Sequence, residues 1–202
     1  MRNRPLLIVF TKAPYYGGAK SRLAAGPNGG VGKVHANRIY RAMVRKILRN
    51  VTDNRWETVL SATPSRDILR RFGGVWPAKF SRMDQGGGGL TPRLARAFDR
   101  KGPTVIIGTD APQMGARDIA AAFKALKSHA AVFGPADDGG FWLIGVNGPV
   151  EAKIFDGARW STEYALADVA KNIKGECAYL RTLIDVDDVK ALAKLKASNP
   201  RF

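Results

Sequence analysis

The sequence predicts a three-layer α/β/α domain built on a mainly parallel, mixed sheet of the Rossmann-like type. Short apolar runs recur between helix-like segments, and their apolarity is continuous, as in strands that are covered on both faces. Strands that alternate with helices favour parallel pairing through right-handed crossovers. The chain has 202 residues, with 45% hydrophobic and 25% charged residues, which predicts one folded domain over residues 1–202.

Each apolar run predicts a strand, and each amphipathic segment between runs predicts a helix. The predicted strands are 6–10, 58–62, 104–108, 130–134 and 141–146. The predicted helices are 34–50, 65–72, 92–100, 117–128, 163–172 and 188–197. Thr91, Thr162 and Asp187 stand where N-cap residues are expected, and Pro92 would follow Thr91 at the first helical position.

The charge balance favours anionic partners. A net charge of +16 attracts nucleic acids, phosphorylated substrates and acidic membrane surfaces alike. Basic residues in 39–49 alternate with apolar ones at helical spacing, which is typical of an exposed helix face, so nucleic acid is the less favoured partner. No stretch approaches the roughly 20 apolar residues of a membrane span, and the single Cys177 fits a reducing, cytoplasmic location. The oligomeric state is not predicted.

The first apolar run is followed by a glycine-rich, cationic loop, "FTKAPYYGGAKSRLAAG", residues 10–26. Such a loop forms either a solvent-exposed turn or a phosphate cradle, in which backbone N–H groups and cationic side chains surround an anion. A second glycine-rich stretch, 84–90, fits an active-site loop or a plain solvent loop.

Acidic residues follow two of the later strands. Asp110 comes directly after 104–108, where a carboxylate could hold Mg²⁺ against phosphate oxygens, although a turn or capping aspartate fits as well. The stretch "DDGG", residues 137–140, adds two carboxylates, and its glycines permit either close approach to a ligand or a tight hairpin.

Five motifs occur in a characteristic order: "FTKAPYYGGAKSRL", "GTDAP", "GPADDGGFWLIGV", "RWST" and "DVDDVKAL". Together they resemble a bacterial glycosyltransferase-like family of the nucleotide-diphospho-sugar transferase (GT-A) superfamily, over residues 6 to about 195. The first motif is also similar to the opening loop of phospholactate guanylyltransferase and, more loosely, of molybdenum-cofactor guanylyltransferase.

The resemblance implies a GT-A fold that binds a nucleotide over the opening loop and uses Mg²⁺ or Mn²⁺. It places Lys20, Arg22 and Asp138 at the reaction centre, with Asp138 facing the acceptor or the metal. Asp110 would be a metal ligand and Asp187 a second one, with the helix-cap role for Asp187 equally open; Asp137 receives no role. The implied nucleotide-binding residues are Lys12, Gly17, Gly18, Lys20, Ser21, Arg22, Gly86 and Gly87.

The sequence departs from the family pattern at several positions. Gly89 replaces an aspartate and Thr91 a glycine, so one carboxylate contact to the nucleotide or acceptor is missing. Ser21 for threonine and Trp142 for tyrosine keep the hydroxyl and the aromatic character.

Three functions follow from these observations. The first is metal-dependent glycosyl transfer from a nucleotide sugar to a small-molecule acceptor. The second is nucleotidyl transfer from a nucleoside triphosphate to a phosphorylated small molecule, with release of pyrophosphate. The third is a catalytically silent RNA- or anion-binding protein, suggested by Gly89 and the net charge of +16.

Overall fold

A computed structural model describes residues 4–26 and 29–198; the two ends of the chain and residues 27–28 lie outside the described residues. Within the described ranges the chain forms seven strands and six α-helices. The strands are β1 (Leu6–Lys12), β2 (Glu57–Thr63), β3 (Ser81–Asp84), β4 (Pro103–Ile107), β5 (Ala131–Pro135), β6 (Phe141–Asn147) and β7 (Cys177–Tyr179). The helices are α1 (Ser21–Ala25), α2 (Gly32–Val51), α3 (Leu90–Phe98), α4 (Ala116–Ala125), α5 (Ala165–Ala170) and α6 (Val189–Ser198), with 3₁₀ turns at Ser65–Asp67 and Ala152–Phe155.

The strands form one mixed sheet in the order β3-β2-β1-β4-β6-β5-β7. β1 pairs in parallel with β2 on one side and with β4 on the other, whereas β6 runs antiparallel to β4 and β5. β1 is therefore the point from which the chain adds strands on both sides, with β2 and β3 on one side and β4 on the other. In open α/β sheets ligands bind at such a switch point, beyond the carboxyl ends of the strands.

Both faces of the sheet are covered. Leu7 and Val9 of β1 pack with α2 and α4 in one core, while Leu6 and Ile8 pack with α3 and α5 in the other. The period of two along a strand sends alternate side chains to opposite faces, which is why a continuous apolar run occurs here. The predicted three-layer, mainly parallel mixed sheet is confirmed.

A third apolar cluster joins the beginning and the end of the described chain. Leu23 of α1 and Leu192 of α6 pack together with Val186, which precedes α6, and with residues of α2. Because Val186 and Leu23 are fully buried, this cluster fixes the opening loop beside the segment that precedes α6. None of the described helices is long and apolar enough to cross a membrane.

Two edge strands and one helix differ from the prediction. β3 and β7 were not predicted; both are short and lie at the sheet edges, where polar residues are tolerated. The predicted helix 65–72 is wrong beyond its first turn: the 3₁₀ turn ends at Asp67, and Phe72, Gly73 and Gly74 all have positive φ. Three consecutive left-handed residues cannot continue a right-handed helix.

The three predicted caps are also wrong. α3 begins at Leu90, after Gly89, and the Thr91 hydroxyl accepts a hydrogen bond from Trp160 Nε1 (2.9 Å). α5 begins at Ala165, since the Thr162 hydroxyl is engaged in a local turn, donating to the Arg159 carbonyl (2.7 Å). At α6 the helical amide of Ala191 donates to Asp188 Oδ1 (2.8 Å), so Asp188, not Asp187, acts as the cap.

Candidate functional site

Two adjoining cavities open at the carboxyl ends of β1 and β4. The first has a volume of about 500 Å³ and the second about 250 Å³. Seven residues line both cavities and form the boundary between them: Leu90, Gly108, Asp110, Phe141, Trp142, Ser161 and Asp187. The site therefore lies where the sheet topology predicts a ligand.

The buried Tyr40 of α2 and Gln85 shape one side of the first cavity. The Tyr40 hydroxyl contacts both the amide (2.9 Å) and the carbonyl (3.0 Å) of Lys12, which fixes the end of β1. The Gln85 amide donates to the Ser61 carbonyl (2.8 Å), and its oxygen accepts from Arg93 Nη1 (3.0 Å). These bonds hold Arg93 and Lys12 in the wall of the first cavity.

Lys20 comes from the opening loop. It has a left-handed backbone (φ 59, ψ 46) directly before α1, and its side chain is 3% exposed. Its Nζ lies 2.5 Å from Asp110 Oδ1 and 2.8 Å from Asp187 Oδ1. The loop therefore delivers a buried ammonium group between two carboxylates from distant parts of the sequence.

Three carboxylates converge at the boundary of the cavities. One oxygen from each of Asp110, Asp185 and Asp187 lies within 4.8 Å of the others; we call these residues the acidic triad. The amide of Val186 donates to the Asp110 carbonyl (2.9 Å), and Val186 is buried while its two neighbours are half-buried. This alternation turns Asp185 and Asp187 together toward Asp110.

The electrostatics differ among the triad members. Burial and, secondly, the nearby charge of Asp110 outweigh the opposing effect of Lys20 and raise the pKa of Asp185 to about 7. Partial burial opposes the ionisation of Asp187, but Lys20 and Arg22 outweigh it and lower the pKa of that carboxyl. Burial likewise opposes the charge of Lys20, yet Asp110 and Asp187 raise the pKa of its ammonium group. Lys20 is therefore held in its charged form.

The second cavity is lined by Arg22, Asp138, Asp185 and residues 160–162, which belong to a strap that we define as residues 159–164. Arg22 Nη2 contacts Asp187 Oδ2 at 2.6 Å, and Asp138 Oδ1 accepts the amide of Gly140 at 2.9 Å. The second cavity thus contains one guanidinium against four carboxylates, whereas the first contains Lys12, Lys20 and Arg93 against two.

Buried Asp168 of α5 anchors the strap. Its carboxylate accepts the amide of Arg159 (3.1 Å) and two guanidinium bonds from the same residue (2.8 and 3.0 Å). These bonds lower the pKa of Asp168, so the anchor is ionised at neutral pH. Ser161, within the strap, has a φ of 62 and faces both cavities.

The structure brings six of the predicted site residues to the cavity walls: Lys12, Lys20, Arg22, Asp110, Asp138 and Asp187. The cavity linings do not include Gly17, Gly18, Ser21, Gly86 or Gly87. Arg96 instead binds the carbonyl of Gly87 (2.5 Å) and lies over Gly86, which ties this glycine loop to α3.

Asp185 is the main residue that the sequence analysis missed. It stands in the quoted motif "DVDDVKAL", two residues before Asp187. An alternation of acidic and apolar residues just before a helix was the available signal. Asp137, in contrast, has a structural role: its carboxylate accepts from the amide of Asp185 (3.0 Å) and from Lys194 Nζ (2.5 Å).

The fold is that of the nucleotide-diphospho-sugar transferases. It resembles, with a TM-score of 0.85 and 25% identity, a crystal structure described as a proposed nucleotide-diphospho-sugar transferase from Desulfovibrio desulfuricans G20, covering 100% of this chain and 89% of that one. Residues 47–162 match the model of a bacterial family, "Uncharacterized protein conserved in bacteria (DUF2064)". The chain belongs to that family.

More distant structures share the fold alone. The 4-diphosphocytidyl-2C-methyl-D-erythritol synthase of Anaerococcus prevotii DSM 20548 is 10% identical (TM-score 0.59), covering 98% of this chain and 99% of that one. Rv0371c of Mycobacterium tuberculosis H37Rv, solved with manganese, is 12% identical (TM-score 0.53), covering 96% and 99%. No curated protein matches the sequence.

Proposed function

We propose that this protein is a metal-dependent glycosyltransferase that uses a nucleotide-sugar donor. The observation that supports it most is the position of the acidic triad between a cationic cavity and an acidic one. A nucleotide sugar has an anionic diphosphate joined to a neutral sugar, and this pair of cavities matches that distribution of charge.

The first cavity would bind the nucleotide. Lys12, Lys20 and Arg93 supply positive charge, and charge-assisted hydrogen bonds to phosphate oxygens are stronger than neutral ones. The buried amide of Gln85, which is held by backbone carbonyls, gives the pocket a fixed polar wall.

The acidic triad would hold Mg²⁺ or Mn²⁺. Both are hard cations that prefer oxygen ligands and commonly use one or two carboxylates together with substrate phosphate. The donor set fits this chemistry because one oxygen from each of three carboxylates lies within 4.8 Å of the others. The Lys20 ammonium group already contacts two of these carboxylates. When bound, the ion would neutralise charge that develops on the leaving diphosphate.

The second cavity would hold the sugar of the donor together with the acceptor. With four carboxylates and one guanidinium, it suits a hydroxyl-bearing acceptor better than a phosphorylated one. In the transfer, the acceptor oxygen forms a bond to the sugar carbon while the bond from that carbon to the diphosphate oxygen breaks. Asp138, which lines the cavity, would take the hydroxyl proton, while Lys20 and Arg22 stabilise the departing diphosphate.

Nucleotidyl transfer is the second candidate. The cationic groups of the first cavity would also suit a triphosphate, and the Anaerococcus synthase, named for a diphosphocytidyl product, shares the fold. In that reaction the acceptor phosphate attacks the α-phosphorus and pyrophosphate leaves. The released product distinguishes the candidates: a nucleoside diphosphate in glycosyl transfer, pyrophosphate in nucleotidyl transfer.

A thermal-shift screen against nucleotide sugars, nucleoside triphosphates and diphosphates, with and without Mn²⁺, tests the proposal, because a ligand that binds only the folded state raises the Tm. We expect a Mn²⁺-dependent shift with one nucleotide sugar. Asp110→Asn should abolish the shift, whereas the control Asp53→Asn, whose carboxylate pairs with Arg55 away from both cavities, should keep it.

Two results would contradict the proposal. A larger shift with one triphosphate, followed by pyrophosphate release, would replace glycosyl with nucleotidyl transfer. Shifts that are the same in Asp110→Asn and in the unchanged protein would remove Asp110 from the metal site.

A further inference from the structure

Lys20 contacts the same carboxylates that would bind the metal. Its Nζ lies 2.5 Å from Asp110 Oδ1 and 2.8 Å from Asp187 Oδ1, and the side chain is 3% exposed. The left-handed backbone at Lys20 and the buried Leu23 of α1 fix the direction from which the side chain enters. Lys20 also lines the first cavity, so its ammonium group lies between the triad and the space proposed for phosphates.

A divalent cation held by the triad would bind two of the carboxylates that Lys20 already contacts, those of Asp110 and Asp187. Mg²⁺ stands about 2.0–2.1 Å from its oxygen ligands, and the three triad oxygens are close enough to share one ion. An ion in that position and the Lys20 ammonium would be like charges within a few ångströms in a half-buried place. Coulomb repulsion at such a distance is large where water screens poorly.

We propose that Lys20 competes with the divalent cation for the acidic triad: binding of the ion displaces the ammonium group from Asp110 and Asp187, and the released group turns to the phosphates in the first cavity. This inference rests on the proposed function, since it takes the triad to be the metal site. Arg22 contacts the other oxygen of Asp187, Oδ2, so its ion pair does not depend on the oxygen that Lys20 would leave.

The displacement of Lys20 by the ion, which we call the exchange, couples the binding of the metal to the binding of the nucleotide. Without a nucleotide, the ion must displace Lys20 from its partners with nothing to replace them. With a nucleotide present, phosphate oxygens give the ammonium group new partners, and lysine binds phosphate well as a point charge. Metal and nucleotide therefore bind cooperatively, and by linkage each raises the affinity of the other by the same factor.

Titration of the purified protein with Mn²⁺ alone, followed by electron paramagnetic resonance, tests the competition. Lys20→Met removes the competing charge and should bind Mn²⁺ about tenfold more tightly or better. The control Lys33→Met makes the same change of charge on α2, outside both cavity linings, and should stay within about twofold of the unchanged protein. Equal or weaker Mn²⁺ binding by Lys20→Met overturns the proposal.

A second measurement uses the unchanged protein, in case Lys20→Met folds poorly. Acetic anhydride labels exposed amines, and mass spectrometry reports the extent at each lysine. Mn²⁺ should increase labelling of Lys20 severalfold and leave Lys33 unchanged, because the displaced amine leaves its buried ion pairs. Unchanged or reduced labelling of Lys20 at saturating Mn²⁺ contradicts the exchange.

The outcomes separate this inference from the proposed function. Mn²⁺ binding that requires Asp110 but is no tighter in Lys20→Met overturns the exchange and leaves the metal-dependent transferase intact. The absence of Mn²⁺ binding in both proteins overturns both proposals.

Discussion

At the residue scale, the site depends on how Asp185 and Asp187 are presented. In sequence they precede a helix, and a capping role for Asp187 was as reasonable as a metal-binding one. The structure gives the cap to Asp188 and turns the two earlier carboxylates toward Asp110, because Val186 between them is buried and bonded to the Asp110 carbonyl. Capping propensity could not predict which aspartate caps α6, because three aspartates precede the helix and all have the same preference for the cap position.

Asp185 has a raised pKa, near 7, so its ionisation costs stability. Below about pH 4 the folded and unfolded states both hold its proton; between pH 4 and 7 only the folded state does, so stability falls as pH rises through that window. Asp185→Asn should therefore become more stable than the unchanged protein by about 2 to 4 kcal/mol as pH rises from 4 to 7, with no further change above 7. Urea unfolding at several pH values measures the difference.

Asp187→Asn serves as a control, because its effect on stability should have the opposite dependence on pH. Lys20 and Arg22 lower the pKa of Asp187, so its ionised form stabilises the fold above about pH 4, and this contribution is lost as pH falls. Asp187→Asn should destabilise the protein at neutral pH and approach the unchanged protein in acid. The same pH trend in both variants would show that the local charges do not control these carboxyls.

At the element scale, the turn between β5 and β6 and the strap 159–164 form one unit. Gly139 has a φ of +85, and a Cβ there would lie 2.2 Å from the Glu163 carbonyl oxygen. The amide of Leu166, in the α5 helix that follows the strap, donates to the Gly139 carbonyl (3.2 Å), which ties the beginning of α5 to the turn. The close approach that this glycine permits is thus to the protein's own backbone.

Gly139→Ala should destabilise the protein by about 3 kcal/mol, because it combines left-handed strain with a backbone collision. Gly157→Ala is the matched control: its φ is +69 but nothing lies within 4 Å of the added Cβ, so strain alone should cost about 1 kcal/mol. Chemical denaturation of both variants measures the two costs. Similar losses in the two proteins would mean that the strap moves aside and does not pack rigidly on the turn.

The sequence predicted the central elements better than the edges. Buried strands such as β1 and β4 have continuous apolar runs, and the loops after them provided Lys20 and Asp110. β3 is polar and β7 is only three residues long, so neither has such a run. α3 begins two residues earlier than its Thr-Pro pair predicts, and the Thr91 hydroxyl accepts a hydrogen bond from Trp160 instead of capping the helix. Tertiary hydrogen bonds of this kind are not encoded in local sequence preference.

At the scale of the whole molecule, the positive charge and the local charges serve different purposes. The chain has a net charge of +16, which attracts any anion from a distance. The second cavity nevertheless contains four carboxylates, so its local charge is negative although the net charge of the chain is positive. A general attraction to polyanions is therefore expected alongside a selective site, and the two can be separated by salt.

This separation tests the remaining alternative, a catalytically silent RNA-binding protein. We expect mixed-sequence RNA of about 20 nucleotides to bind only through the surface charge, with affinity falling by about 10³-fold between 50 and 200 mM salt. Asp110→Asn should leave that binding unchanged, because the carboxylate lies in the cavities and not on the basic surface. Fluorescence anisotropy with labelled RNA measures both effects. RNA binding that persists at 200 mM salt and is displaced by the nucleotide found in the screen would show that the site itself recognises RNA. That result would favour the RNA-binding protein over the transferase.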